Sequence, residues 1–338
     1  MDLGFEVPLG TGRRQLTTGR LFFMACYHPI TAYWSRTLKT KLGTPAITFK
    51  YSDADPQLGE FQIPCGQCIG CRLDRSLDSA VRAHHESQLY DQNYFLTLTY
   101  DNDHLPPFGS LIPRDLTLFW KRIRKRGINL RYMACGEYGS TYGRPHYHAI
   151  IFNLPPLELR QIGITKTGFP TFVSDVFAEC WPFGFHTLNF VSFESCAYVA
   201  RYVTKKILGD GKQIYEKFDP ETGEVDCRVK EFSRWSTKPG IGHDYFMKYW
   251  RDFYKIDCCL INNKKFKIPR YYDRLLLREH PDVFEIVKQK RILSAQDYRL
   301  TPDAQKSRLL VREEVKRLRA ERLLRPYEAQ ITEYLKNV

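Results

Sequence analysis

The strongest constraint on the fold is a short segment, residues 146–152, with the sequence HYHAIIF. Its three consecutive bulky apolar residues are typical of a strand that is buried on both faces. Successive side chains of a strand point to opposite faces, so His146 and His148 project from the same face. Two imidazoles held on one side of a rigid strand suit a divalent metal ion. Packed or solvated histidines are the alternative that any such pair leaves open.

A series of strand and helix patterns surrounds this segment. Strand patterns cover residues 94–100, 130–137, 146–153 and 185–191, and helix patterns cover residues 113–126, 173–180 and about 194–207. The first six elements follow the order βαββαβ, which predicts an α+β fold of the ferredoxin-like type. In that topology an antiparallel sheet carries two helices on one face, and its first and third strands lie side by side at the centre. The histidine strand should therefore be central.

The last predicted helix carries a second set of chemical groups. At ~100° per residue, Tyr198, Tyr202 and Lys205 fall on one face. The opposite face is apolar and consists of Cys196, Val199, Ala200, Val203 and Ile207. Core aromatics are the usual role of tyrosines at this spacing, but these two lie off the apolar face. A phenol can attack a phosphodiester when a metal polarises the phosphate, and a lysine adds positive charge.

Glu137 is the candidate third metal ligand. If the two strands fold as a hairpin about residues 139–143, Glu137 lies opposite the two histidines. A slip of one residue would turn it to the other face, where it would be an ordinary surface glutamate. Imidazoles with a carboxylate accept Mg²⁺, Mn²⁺ or zinc, so the sequence leaves the metal open.

A cysteine cluster precedes a helix predicted at residues 72–90. Cys65, Cys68 and Cys71 stand at two-residue spacing on a glycine-rich loop and could hold a structural zinc ion, with a fourth ligand from elsewhere. An iron–sulfur run would need a fourth nearby cysteine, and residue 75 is arginine. Plain reduced cysteines in a turn are the alternative.

The charge of the chain indicates an anionic partner. It contains 51 Lys and Arg residues against 38 acidic residues, a net charge of +13, which favours nucleic acid before an acidic membrane surface. The exposed face of helix 113–126 is entirely positive, which favours phosphate contact over simple solvation. The residues expected to bind DNA are Arg122, Lys125, Arg144, Arg201 and Lys206. The chain has no run of the ~18 apolar residues that span a membrane and no secretory leader, so we expect a soluble intracellular protein.

The composition predicts five regions. Residues 1–23 form a loose extension, residues 24–92 hold the cysteine cluster and a helix, and residues 93–210 form the core. Residues 211–262 are an aromatic-rich extension, in which aromatics at helical spacing favour a core over base stacking. Residues 263–338 form a basic helical region that ends in a long charged helix.

Three of these motifs resemble the HUH endonuclease superfamily of rolling-circle replication initiators. They are the strand 94–100, the histidine pair, and the Tyr198–Tyr202–Lys205 set, in the order and spacing of that superfamily. The chain is more specifically similar to the initiators of gokushovirus-like single-stranded DNA phages (Microviridae). That likeness covers about residues 24–260 and rests on the segments MACYHP (24–29), PCGQCIGCR (64–72), GEYG (136–139) and KPGIG (238–242). Position 201 is arginine where related initiators often have lysine, and the charge is kept.

This resemblance implies a site-specific nickase that also rejoins strands. The histidine pair and a nearby acid would hold Mg²⁺ or Mn²⁺, and one tyrosine would become linked to a DNA 5′ phosphate while a 3′-OH primer is released. The second tyrosine would cut the regenerated origin, and the strand would close to a circle. The implied partners are single-stranded origin DNA and the host helicase and DNA polymerase, in the host bacterial cytoplasm. The competing interpretations are a non-catalytic DNA-binding protein with a zinc module, and a transposase or relaxase that shares the motifs.

Overall fold

The computed structural model describes residues 26–40, 43, 45–139, 143–165, 168–201, 216–218 and 225–321. The predicted site residues Tyr202, Lys205 and Lys206, and the predicted extension 1–23, lie outside this part of the chain. Within it, no helix combines the length and the apolar character that crossing a bilayer requires.

The described chain contains fourteen strands and eight α-helices. The strands are β1 (Ile30–Lys39), β2 (Pro45–Thr48), β3 (Glu60–Ile63), β4 (Tyr94–Tyr100), β5 (Arg131–Tyr138), β6 (Pro145–Phe152), β7 (Arg160–Ile164), β8 (Pro170–Val173), β9 (Gly184–Phe190), β10 (Glu216–Phe218), β11 (Val225–Cys227), β12 (Phe232–Trp235), β13 (Cys259–Ile261) and β14 (Lys264–Phe266). The helices are α1 (Ile69–Ser87), α2 (Pro113–Lys125), α3 (Asp175–Cys180), α4 (Phe193–Arg201), α5 (His243–Ile256), α6 (Arg270–Glu279), α7 (Pro281–Arg299) and α8 (Lys306–Glu321).

A seven-stranded antiparallel sheet with the order β12-β5-β6-β4-β9-β8-β7 forms the centre of the fold. The prediction of an α+β protein with a central antiparallel sheet is confirmed. Strands β4 and β6, the first and third of the predicted core, are direct neighbours, with Thr97 opposite His148 and Thr99 opposite His146. The histidine strand therefore has a paired strand on each side, β4 on one and β5 on the other.

Strand β6 separates two hydrophobic layers because its side chains alternate between the two faces of the sheet. Tyr147, Ala149 and Ile151 pack in the layer that α2 and α3 cover. Ile150 and Phe152 pack in the opposite layer, beneath α1 and α4. The predicted pair of helices covers one face, and α1 and α4 close the other, the face on which the histidines lie.

Three sheet strands were not predicted. Strands β7 and β8 form a hairpin that extends one edge, and β12 pairs with β5 at the other edge. Each has only four or five residues, too few for a clear periodic pattern. Gly136 on β5 leaves room for this edge, because an added Cβ would lie 2.8 Å from Cε1 of Phe232 on β12.

The aromatic run after residue 240 forms a third hydrophobic core. Phe246, Trp250 and Phe253 on α5 are buried there against Tyr272 and Leu276 of α6, as the helical spacing predicted. Helices α6 and α7 follow, and the predicted long charged helix appears as α8. Near the start of the described chain, Nε2 of His28 lies 2.5 Å from Oε2 of Glu313 on α8. The two ends of the described chain therefore meet.

Candidate metal and nucleophile site

Glu137, His146 and His148 converge on one face of the central sheet. Oε1 of Glu137 lies 3.1 Å from Nε2 of His146 and 2.8 Å from Nε2 of His148. One carboxylate oxygen thus contacts both imidazoles, and the three side chains form a group with the composition of a metal site. These are the three ligands that the sequence predicted, brought together by the hairpin register.

The register of β5 and β6 produces this convergence. Glu137 pairs directly with His146, and Cys135 pairs with His148, so Glu137 occupies the histidine face. The turn then reverses tightly, with the Gly139 amide donating to the Arg144 carbonyl at 2.8 Å. An added Cβ at Gly139 would lie 2.9 Å from Cε1 of His146. Glycine at this position therefore lets the His146 ring lie against the backbone.

The site is nearly closed to solvent on the sheet side. Glu137 is 1% exposed and His148 is 8% exposed. Burial alone raises the pKa of the Glu137 carboxyl, but its contacts with His146 and His148 outweigh burial and hold that pKa well below its usual range. The carboxylate is therefore ionised at neutral pH, as a metal ligand must be.

Two residues of β4 position His148, and the sequence analysis assigned no role to either. Oγ1 of Thr97 lies 3.0 Å from Nδ1 of His148, which leaves Nε2 directed toward Glu137. Phe95 stacks on the His148 ring with a centroid distance of 5.1 Å. A partner on the second ring nitrogen is the usual companion of a histidine ligand. The signal for these residues was their shared face in the alternating pattern of residues 94–100.

Tyr198 on α4 reaches the same carboxylate oxygen. Its hydroxyl donates to Oε1 of Glu137 at 2.6 Å, and its ring meets the His148 ring edge-on with a centroid distance of 5.2 Å. The apolar side of α4, formed by Cys196, Val199 and Ala200, is buried against the sheet. The helical face predicted from periodicity thus holds for the described part of α4, and it places one predicted nucleophile beside the predicted ligands.

The donor set fits a hard divalent cation. Two imidazole nitrogens and a carboxylate lie within reach of one point. The second carboxylate oxygen, Oε2 of Glu137, is buried and has no hydrogen-bond partner among the described residues. A buried ionised oxygen without a partner is costly, and a bound cation would satisfy it. His146, His148 and Glu137 would hold such an ion.

The basic residues predicted to bind DNA lie in different places. Arg122 and Lys125 are on α2, across the sheet from the histidines; Arg122 donates to the Cys180 carbonyl at 3.2 Å, while Lys125 is exposed. Arg144 adjoins the hairpin turn, and its guanidinium donates to the Tyr100 carbonyl at 3.2 Å and to Asn102 at 2.9 Å. Arg201 ends the described part of α4, three residues after Tyr198. DNA contact by these residues remains a prediction.

The cysteine cluster contains four thiols. Cys26 joins Cys65, Cys68 and Cys71, and all four sulfur atoms lie within 4.8 Å of one another. Cys26 is the ligand from elsewhere that the sequence analysis required but did not name. Burial acts to raise the pKa of Cys65, but hydrogen bonds from the amides of Cys68 and Gln67 outweigh it and lower that pKa to about 7. This second group is also one that could hold a metal.

Comparison with known proteins assigns the site to a class. A family profile for the replication-associated protein ORF2 matches residues 93–207, the stretch that carries Glu137, both histidines and the tyrosine helix. The Replication-associated protein ORF2 of Spiroplasma virus 4 is 34% identical, over 79% of this chain and 86% of its own length. The Replication-associated protein VP4 of Bdellovibrio phage phiMH2K is 33% identical, over 77% of this chain and 79% of its own length.

A third relative, the Replication-associated protein ORF4 of Chlamydia phage 1, is 31% identical, over 70% of this chain and 61% of its own length. No solved structure matches the chain. The fold and the site are thus those of a replication-associated protein. The chain belongs to the family of replication-associated proteins of small single-stranded DNA phages, which confirms the resemblance found from its motifs and supports a role in the initiation of DNA replication.

Proposed function

We propose that this protein nicks single-stranded origin DNA through a tyrosine, remains linked to the 5′ phosphate, releases a 3′-OH primer and later rejoins the strand to a circle. The observation that carries the proposal is the Tyr198 hydroxyl, which lies 2.6 Å from the same Glu137 oxygen that contacts both histidines. A nucleophile hydrogen-bonded to a metal-ligand set is the arrangement that metal-assisted phosphodiester attack requires.

The residues of the chain would divide the work as follows. The hydrogen bond from Tyr198 to Glu137 orients the phenol oxygen next to the position of a bound phosphate. A phenolate and a carboxylate at this distance repel each other unless positive charge lies beside them. Mg²⁺ or Mn²⁺ would supply that charge when bound and would polarise a phosphate oxygen of the scissile bond. Lys205, four residues beyond Arg201 in the sequence, would add to it.

The two-tyrosine pattern explains rejoining without a separate energy source. Tyr198 and Tyr202 are four residues apart and share one helical face in the sequence pattern. One tyrosine would cut first, and the other would cut the regenerated origin. The free 3′-OH then attacks the phosphotyrosine, so the new phosphodiester forms as the tyrosine oxygen leaves. The phosphotyrosine bond conserves the free energy of the bond that was broken.

The proposed partners follow from this cycle. Single-stranded origin DNA is the substrate, and the net charge of +13 supplies the general attraction for its phosphates. Host helicase and DNA polymerase would open and copy the duplex, and the site of action would be the cytoplasm of the host bacterium. Arg144 and Arg201, close to the site, are the residues we expect nearest to the scissile strand. Arg122 and Lys125 would contact DNA only where it passes to the opposite face of the sheet.

A denaturing gel tests the proposal. Labelled single-stranded origin DNA is incubated with Mn²⁺ and wild-type protein, Tyr198→Phe, Tyr202→Phe, the double variant or His146→Ala. We expect a protein–DNA adduct that survives denaturation in the wild type and is absent from the double variant and from His146→Ala. Tyr51→Phe is the matched control, because Tyr51 is 81% exposed and lies outside the site. DNA binding on a native gel with no adduct in any lane would favour the non-catalytic DNA-binding protein.

A further inference from the structure

We propose that Cys26, Cys65, Cys68 and Cys71 bind one structural Zn²⁺ as a tetrathiolate, and that this ion fastens the start of the described chain to helix α1. The site is separate from the Glu137–histidine group and goes beyond the proposed nicking reaction. Three of its ligands come from one loop, and the fourth comes from a position thirty-nine residues earlier in the sequence.

The spacing of the sulfur atoms fits a single zinc ion. All four lie within 4.8 Å of one another. A tetrahedral zinc ion with Zn–S bonds of about 2.3 Å needs sulfur–sulfur distances of about 3.8 Å, which small rotations of the four side chains would provide. A cubane iron–sulfur cluster carries its cysteines on separate iron atoms and needs a wider spacing. All four residues are free cysteines.

Backbone amides surround the sulfur atoms in the way that thiolates require. The amides of Gln67 and Cys68 point to Sγ of Cys65 at 3.5 and 3.3 Å. The amide of Cys65 points to Sγ of Cys26 at 3.2 Å, and the amide of Tyr27 points to Sγ of Cys68 at 3.4 Å. Four thiolates around one Zn²⁺ leave a net negative charge, and these N–H dipoles stabilise it. Gly66, with φ of +75°, provides the backbone turn that directs its neighbours' amides inward.

The site has the character of a structural centre rather than a catalytic one. Four protein ligands close the tetrahedron and leave no position for water or substrate. Cys26 and Cys71 are buried, and Cys65 and Cys68 are partly covered. Cys71 lies in the first turn of α1, and α1 packs beside α4, which carries Tyr198. The ion would therefore hold the helix that covers the site face of the sheet.

Metal analysis of the full-length protein is the first test. Wild type, Cys26→Ser and Cys227→Ser are purified without added chelator from cells grown with zinc. Each carries His146→Ala and His148→Ala, so that the second metal group cannot contribute. We expect about one zinc per chain in the wild-type cluster and in Cys227→Ser, whose exposed cysteine lies outside the cluster. We expect less than about a tenth of that in Cys26→Ser.

Cobalt substitution covers the case in which Cys26→Ser does not fold. The Co²⁺-loaded wild-type cluster should show the intense near-ultraviolet charge-transfer bands of cobalt–thiolate bonds and the visible bands of a tetrahedral ion. One equivalent of Zn²⁺ should abolish both. Equal zinc in Cys26→Ser and wild type, a cobalt spectrum without thiolate bands, or purified protein that holds iron with acid-labile sulfide would each overturn the assignment. Adduct formation by the histidine-intact protein is scored separately, so failure of the zinc site and failure of the nickase proposal remain distinguishable.

Discussion

The hydroxyl of Tyr198 donates to Oε1 of Glu137 at 2.6 Å, although the two residues are sixty-one positions apart in the chain. That oxygen also contacts Nε2 of both histidines, so one atom joins the candidate nucleophile to the candidate metal ligands. Changes at Glu137 should therefore affect metal binding and tyrosine reactivity together, whereas changes behind the histidines should act through the metal alone.

Glu137→Gln removes the carboxylate charge and keeps the size of the side chain. A neutral amide is a poor ligand for a hard cation, so we expect Mn²⁺ affinity to fall by at least about 100-fold and the rate of adduct formation to fall by about as much. Mn²⁺ titration by calorimetry and a single-turnover assay give the two values. Glu285→Gln, at a side chain that is 52% exposed on α7, is the control and should match the wild type. Unchanged Mn²⁺ affinity in Glu137→Gln would remove this residue from the metal site.

Thr97→Val removes the hydroxyl that lies 3.0 Å from Nδ1 of His148 and replaces it with a methyl group of similar volume. Loss of such a partner frees the orientation of a ligand ring, so we expect about 10- to 100-fold weaker Mn²⁺ binding. Saturating Mn²⁺ should restore most of the nicking rate, because the ligands themselves remain. Thr187→Val, at the facing position on β9, is the matched control. A rate defect that Mn²⁺ does not rescue would contradict a positioning role for Thr97.

Gly139→Ala tests the close approach of the turn to His146. The new methyl carbon would lie 2.9 Å from Cε1 of the imidazole, closer than van der Waals contact allows, so the ring must move. We expect Mn²⁺ affinity to fall by about 10-fold or more, with little change in the free energy of unfolding. Gly163→Ala should have no effect on the metal, because nothing lies within 4 Å of its added Cβ. Equal Mn²⁺ affinity in the two variants would show that the His146 ring has room to adjust.

The stability of the protein should fall in acid because of His85. This residue is 2% exposed and stacks on Tyr245 with a centroid distance of 4.4 Å; burial lowers its pKa to about 3. Below pH ~6.5 the unfolded chain binds a proton at His85 that the folded chain does not bind until about pH 3. The free energy of unfolding should therefore decrease as the pH falls through this range, by about 2 kcal/mol at pH 5 from this group.

His85→Phe keeps an aromatic ring in the stack and removes the titration. Urea unfolding of both proteins at pH 7 and pH 5 isolates the contribution of His85, because every other titrating group is shared. We expect the acid-induced loss of stability to be smaller in His85→Phe by about 2 kcal/mol. Identical losses in the two proteins would mean that His85 takes up its proton without unfolding.

The sequence alone was sufficient for the elements that carry the site. The strand predicted at residues 94–100 is β4 with the same limits, and the helix predicted from Pro113 is α2. These segments combine strong local periodicity with clear end signals, and both properties are local. The hairpin register followed from the same logic, since a turn of known length fixes which residues face each other. Glu137 could therefore be placed opposite His146 before any coordinates were considered.

Only the tertiary structure decided how distant segments meet. Cys26 joins Cys65 because two loops fold together, and sequence spacing carries no record of that contact. The basic face of α2 was recognised as exposed, yet the side of the sheet on which it lies depends on the packing of α2 against β6. Short strands such as β12 form because a partner edge is available, and a four-residue pattern cannot signal this. Periodicity reports which face of an element is buried, whereas the identity of the neighbour that buries it comes from long-range packing.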